Sequence, residues 1–124
     1  MQRINKVIQN PLFFLVFMGP VILLPLTAYL SYKTGVSRQF YTLAGASLLY
    51  IILTFGVTVG GNVPLNNKLA AVPVASASAA DLHKARTDFE GPWNGLHAVR
   101  TVAGIAASVL AITACILPAI DAKD

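Results

Sequence analysis

Two long stretches of the chain carry no charge and a third carries one, and most polar positions gather in the connections between them. Pro11 to Tyr32 (PLFFLVFMGPVILLPLTAYLSY) is uncharged throughout. As a helix of about 22 residues it is long enough to cross a hydrocarbon layer of about 30 Å. Arg3 and Lys6 precede it, and Lys33 and Arg38 follow. The run is longer than the apolar core of a cleaved signal peptide (about 7–15 residues), and no A-x-A-like site follows, so a retained helix is expected. Pro20 and Pro25 should kink it, since each removes a backbone donor and crowds the carbonyl one turn back. Neighbouring helices tolerate such kinks inside a bundle.

Phe40 to Gly60 forms a second uncharged run, and Leu96 to Ala119 a third that is broken only by Arg100. In the second, Gly56 and Gly60 make a G-x-x-x-G pair with Gly45 on roughly the same face, a pattern that lets two backbones approach closely in lipid. In the third, a 100° advance per residue collects His97, Arg100, Gly104, Ala107, Ser108, Ala111 and Cys115 on one stripe. Beyond Arg100 that stripe is small, and it should pack on protein. Val99, Val102, Ile105, Val109, Ile112 and Ile116 should meet lipid.

The polar connection 61–95 holds Val72 to Ala80 (VPVASASAA), which has the character of an Ala/Ser linker. Asp81 to Glu90 reads as a short surface helix, with Lys84–Asp88 and Arg86–Glu90 at i,i+4 spacing. Gly91-Pro92 should break that helix, with Pro92 in the first turn of the next. Trp93 then falls at the membrane interface. The expectation is an all-α transmembrane bundle in one domain spanning 1–124, with spans at about 11–32, 40–60 and 96–119 plus a short surface helix.

Composition strengthens this picture. Of the 124 residues, 56% are hydrophobic and 11% charged, and mean hydropathy is +0.67. Soluble domains carry about 25% charged residues, and a chain this small has no core able to hide so much apolar surface. The net charge of +4 does not point to nucleic acid, because the basic residues are dispersed to the ends of the apolar runs. There they meet anionic headgroups and set orientation. Arg3, Lys6, Lys68, Lys84 and Arg86 fall on one side, with Arg100 just inside the helix, and Lys33, Arg38 and Lys123 on the other. That bias places the N-terminus and the 61–95 connection in the cytoplasm of a bacterial inner membrane protein.

Candidate chemistry sits at one membrane face. Gly60 to Leu69 (GGNVPLNNKL) ends the second run and Trp93 to Thr101 (WNGLHAVRT) begins the third. Asn62 and Asn66 are four apart, and Trp93, His97 and Arg100 follow i, i+4, i+7. Ionisable residues at this depth usually face the bundle interior and mark functional sites. The competing reading is that they snorkel or tie helices together by hydrogen bonds. A metal site is not expected: Cys115 lies 18 residues beyond His97, about 27 Å along a helix, and His83 sits in the surface helix. No spacing matches a zinc, haem or di-iron motif. The lone cysteine reads as a small buried hydrophobe.

These segments carry a resemblance. Met1-Gln2-Arg3-Ile4-Asn5 with Asn10-Pro11, then Gly60-Gly61-Asn62-Val63-Pro64-Leu65-Asn66-Asn67, then Phe89 to Trp93 and His97 to Thr101, resemble the anthrone-oxygenase-like membrane proteins. In bacteria many members of that family are classed as a domain of unknown function. The family pattern is a four-helix bundle, so the resemblance implies a first helix before Met1, without which one side of the bundle stands open. It also implies monooxygenation of an anthrone-type polycyclic phenol, or of another small hydrophobic substrate, to a quinone. The acidic C–H of such a substrate lets its carbanion react with dioxygen without a cofactor. Under that implication His97 is the general base and Arg100 stabilises the oxyanion. Asn62 and Asn66 serve as hydrogen-bond donors to the substrate, Asn67 also lines it, and Trp93 stacks on its rings. The expected partners are the lipid bilayer, that substrate, and a second copy of the chain or another helix. The rival is a non-enzymatic membrane subunit or small-molecule binder.

Overall fold

A computed structural model describes residues 10–117. The charges of Arg3, Lys6 and Lys123, the Met1–Asn5 part of the resemblance and the expected last turn of the third span lie outside the described residues. Among the described residues there is no strand. Within them three helices are long and apolar enough to span a membrane: α1 (Pro11–Thr34), α2 (Arg38–Ala70) and α3 (Ala79–Ile116). The chain is an integral membrane protein built as an all-α helical bundle.

The helix starts follow from local chemistry. Asn10 caps α1, its side chain accepting from the Phe13 N–H at 2.9 Å, and Pro11 occupies the first turn where no donor is needed. Gly35 ends α1 at φ 140°, a conformation that side chains oppose. Ser37 caps α2 through the Phe40 N–H. Ser78 and Asp81 form a reciprocal capping box at the start of α3.

α2 lies centrally, with α1 on one side and α3 on the other. Aromatic rings fill the α1–α2 seam: Phe17 meets Phe55 at 5.7 Å between centroids, and the Tyr50 hydroxyl donates to the Phe17 carbonyl at 3.0 Å. The α2–α3 seam is instead built from small residues. Ala46, Ala103, Ala107 and Ala114 are buried there and at the neighbouring crossings, which lets backbones approach closely, as lipid-embedded helices require.

Several sequence expectations change. Gly91-Pro92 does not break a surface helix, which instead runs without interruption into the third span as the first turns of α3. Pro92 removes one donor, and the amphipathic turns before it are anchored by their own cap and by the exposed Lys84–Asp88 and Arg86–Glu90 pairs. The second span likewise continues beyond Gly60 to Ala70. On α3 the outward residues are as expected, with Val102, Ile105, Val109, Ile112 and Ile116 all exposed. The buried stripe is rotated slightly, to Ala103, Ala107 and Ala114, leaving Ser108 and Cys115 exposed. Cys115 is therefore not a buried hydrophobe; its thiol donates back to the Ala111 carbonyl at 3.3 Å.

The glycine expectation also moves. A methyl group at Gly60 would meet nothing within 4 Å, and one at Gly56 would meet only the Ile51 carbonyl of its own helix. The close approaches fall at Gly45 against Leu110, Gly104 against Thr54, and above all Gly61 against Leu96. The cause lies in the backbone. Leu49–Gly56 and Thr58–Asn62 are π-helical, so residues past them are turned away from the face that an α-helical count assigns.

Candidate functional site

The π-helical stretch ends where the candidate residues begin. The Val63 N–H bonds back five residues to the Thr58 carbonyl, and Pro64 follows, its missing donor falling where the helix returns to α-helical pairing. Polar side chains recur every four residues along this half of α2: Thr54, Thr58, Asn62 and Asn66. The Thr54 hydroxyl donates to the Arg100 carbonyl at 3.4 Å, and Thr58 donates to the Thr54 carbonyl. The Asn62 Nδ2 donates to the Trp93 carbonyl at 3.3 Å, and Asn66 Oδ1 accepts from Trp93 Nε1 at 2.9 Å. Thr54 and Thr58 were not among the sequence candidates, although their four-residue spacing to Asn62 is a readable signal.

On α3 the helical period stacks Phe89, Trp93 and His97 in one column. Phe89 and Trp93 lie 5.9 Å apart at 30°, and Trp93 and His97 lie 4.9 Å apart at 18°. Trp93 is thus covered from the turns before and after it, and is not a free platform for a ligand ring. One turn on, Arg100 aims two donors at a single atom: Nε lies 3.1 Å and Nη2 2.9 Å from His97 Nδ1. Arginine has no acceptor, so Nδ1 must present its lone pair, and the neutral ring then carries its proton on Nε2. The Arg100 guanidinium also lies 6.0 Å from the Trp93 ring centre, within cation–π range.

Five of the six sequence candidates therefore form one cluster: Asn62, Asn66, Trp93, His97 and Arg100. Asn67 does not join it, because the residue after Asn66 turns outward and is exposed. Within the cluster one atom stands out. Asn62 is 2% exposed, and its Oδ1 is buried without a hydrogen-bond partner. Its amide cannot simply be reversed, since Nδ2 must face the Trp93 carbonyl, itself an acceptor. A buried acceptor left unpaired costs about 1–3 kcal/mol.

A cavity of about 540 Å³ opens beside the cluster, walled by Leu69, Val72, Leu82, Phe89, Trp93 and the Arg86–Glu90 pair among others. Its volume lies in the range of small-molecule sites, and its mix of apolar walls with a few polar groups is typical of them. His97, Arg100, Asn62 and Asn66 are not among its lining residues; Trp93 is the shared wall. A smaller cavity of about 350 Å³ lies at the opposite end of the bundle, where Gln39 bonds Ser31 and the Ala114 carbonyl. Among the described residues, no three of His, Cys, Asp and Glu come together to hold a metal ion.

Comparison with known proteins adds one match. Residues 13–110 fit the family model described as anthrone oxygenase, 98 of the 124 residues and the whole of the cluster. No curated protein and no solved structure matches the chain.

Proposed function

The chain belongs to the anthrone oxygenase family, and from that premise we propose that it is a membrane-embedded oxygenase acting on a polycyclic phenol of anthrone type or a similar small hydrophobic substrate. The observation carrying this reading is the pairing of His97 with Arg100 beside an unsatisfied buried Asn62, next to an apolar cavity of ligand size. The reaction is the oxidation of a ring methylene to a carbonyl. Dioxygen is the co-reactant: one of its atoms enters the ring as the new C=O, and the other leaves as water with the two methylene hydrogens.

The first step is loss of a methylene proton, which leaves the electron pair delocalised onto the ring oxygen as an enolate. His97 Nδ1 is the base for that proton. With no substrate bound, its lone pair is occupied by the two Arg100 donors. The ring carbonyl oxygen of the arriving substrate competes for the guanidinium, drawing Arg100 onto it and uncovering Nδ1, and the guanidinium then stabilises the oxyanion that forms as the proton leaves. The base is thus released only when the group it serves arrives. Asn66, its Oδ1 held by the Trp93 indole, presents its Nδ2 as a donor, while Asn62 presents an acceptor instead of the donor that chemistry alone suggested. Trp93 acts as an edge wall and a clamp for both asparagines. We place the protein in a bacterial inner membrane with the 61–95 connection in the cytoplasm.

The test is conversion of anthrone to anthraquinone under air by purified protein in detergent, followed by absorbance. His97→Ala and Arg100→Ala should each lower the rate by about 10²-fold or more, whereas Val99→Ala, on the lipid-facing side, should not. Equal rates in folded His97→Ala and unmodified protein would refute catalysis by this cluster. One observation favours the rival, a non-enzymatic helix tie: Asn62 and Asn66 both bond Trp93 across the α2–α3 seam. In that case His97→Ala disturbs folding and leaves no oxidation defect in the folded fraction.

A further inference from the structure

We propose that Asn62 is the specificity residue of this site: its Oδ1 accepts a phenolic O–H of the ligand, and so admits hydroxylated polycycles over those that lack a donor. This rests on the reading of this end of the bundle as a substrate site. The Trp93 carbonyl fixes the amide so that Nδ2 is spent and Oδ1 is presented. Nothing in the described chain donates to that oxygen, and no donor is spare on its own helix turn, because the Thr58 hydroxyl is committed to the Thr54 carbonyl.

The missing partner is a donor, which states the ligand's chemistry. Polycyclic phenols carry such a donor on the ring periphery, away from the methylene and carbonyl that react. An unsubstituted quinone offers only acceptors, and acceptor facing acceptor is repulsive. A buried polar group that lacks its partner rejects analogues unable to supply one. The oxygen therefore selects for a ring hydroxyl, which oxidation of the methylene leaves in place.

Asn62 is 2% exposed, so a hydroxyl reaches its Oδ1 only if a neighbouring side chain moves. A methyl group built on Gly61 would stand 2.7 Å from Leu96 Cδ1, so the Leu96 tip lies flat on the backbone immediately before Asn62. That tip is the free end of a flexible side chain, and in this proposal its rotation to another rotamer is what admits the hydroxyl.

The probes are 9-phenanthrol and its ether 9-methoxyphenanthrene, tricyclic molecules that differ in the donor. Trp93 is the chain's single tryptophan, so its emission reports binding, with partition into protein-free micelles subtracted. The unmodified chain should bind the phenol at least about tenfold more tightly than the ether. Asn62→Leu should bring that ratio close to one, and Leu96→Ala, which clears the space in advance, should tighten phenol binding alone. A ratio near one in the unmodified chain overturns the proposal without recourse to any variant, and so does a ratio that survives Asn62→Leu. Phenol preference without anthrone oxidation would sink the enzymatic reading and leave this one standing; oxidation without phenol preference would do the reverse.

Discussion

Trp93 is clamped at two points by one helix, through its carbonyl to Asn62 and its indole N–H to Asn66. Trp93→Phe keeps an aromatic ring in the Phe89–His97 column and deletes only the indole donor. We expect it to destabilise the folded protein by about 1 kcal/mol, the usual net worth of one hydrogen bond and somewhat above the intramembrane average, measured by thermal unfolding in detergent. A loss near zero would mean that the Asn66 contact is incidental. The cluster itself was legible in the sequence, because Asn62–Asn66 and Trp93–His97–Arg100 follow helical spacing and few polar residues compete at that depth. The roles of the individual atoms were not. Spacing puts His97 beside Arg100, but only the geometry shows two guanidinium donors converging on Nδ1, and only the backbone trace shows which end of the Asn62 amide is spent.

At the scale of the helix, the informative residues are the glycines of α2. Read as an uninterrupted α-helix, Gly56 and Gly60 belong to the contact face; with π-helical turns at Leu49–Gly56 and Thr58–Asn62 that role passes to Gly61. The apolar runs made the three spans plain, since length and hydropathy depend on composition alone. The π-helical turns left no such trace, because they differ from α-helix by one hydrogen-bond register and not by residue type. The extension to Ala70 was hidden for a different reason, behind Gly60-Gly61 and Pro64, residues that punctuate a helix in water. Gly60→Ala should be neutral or stabilising by up to about 1 kcal/mol through helix propensity. Gly61→Ala adds a methyl against Leu96 and should cost about 1 kcal/mol, near the low end for overpacking because the opposing group is a flexible tip. Ala107→Leu, which forces a large side chain into the α2–α3 seam, should cost more, about 1–3 kcal/mol. Thermal unfolding of the three variants in the same detergent tests the order. A Gly60→Ala less stable than Gly61→Ala would restore the uninterrupted α-helical reading.

Across the whole molecule, the two ends of the bundle differ in charge as well as in chemistry. The end with the large cavity and the polar cluster carries Lys68, Lys84 and Arg86, and the short turn between α1 and α2 carries Lys33 and Arg38. Lys84 and Arg86 are paired with Asp88 and Glu90, but acidic residues count little in setting orientation, so we expect the basic side to face the cytoplasm. In that orientation a substrate made inside the cell would reach the cavity without crossing the membrane. Orientation is readable with single cysteines once the exposed Cys115 is removed by Cys115→Ser. Val36→Cys lies in the α1–α2 turn and Ser76→Cys in the α2–α3 connection, both at exposed positions. In intact bacterial spheroplasts an impermeant maleimide should label Val36→Cys at once and Ser76→Cys only after the membrane is opened. The opposite pattern would put the cavity on the outer face. The substrate would then have to come from the periplasm, and the Lys/Arg bias would have failed for a chain whose loops are short enough for it to apply.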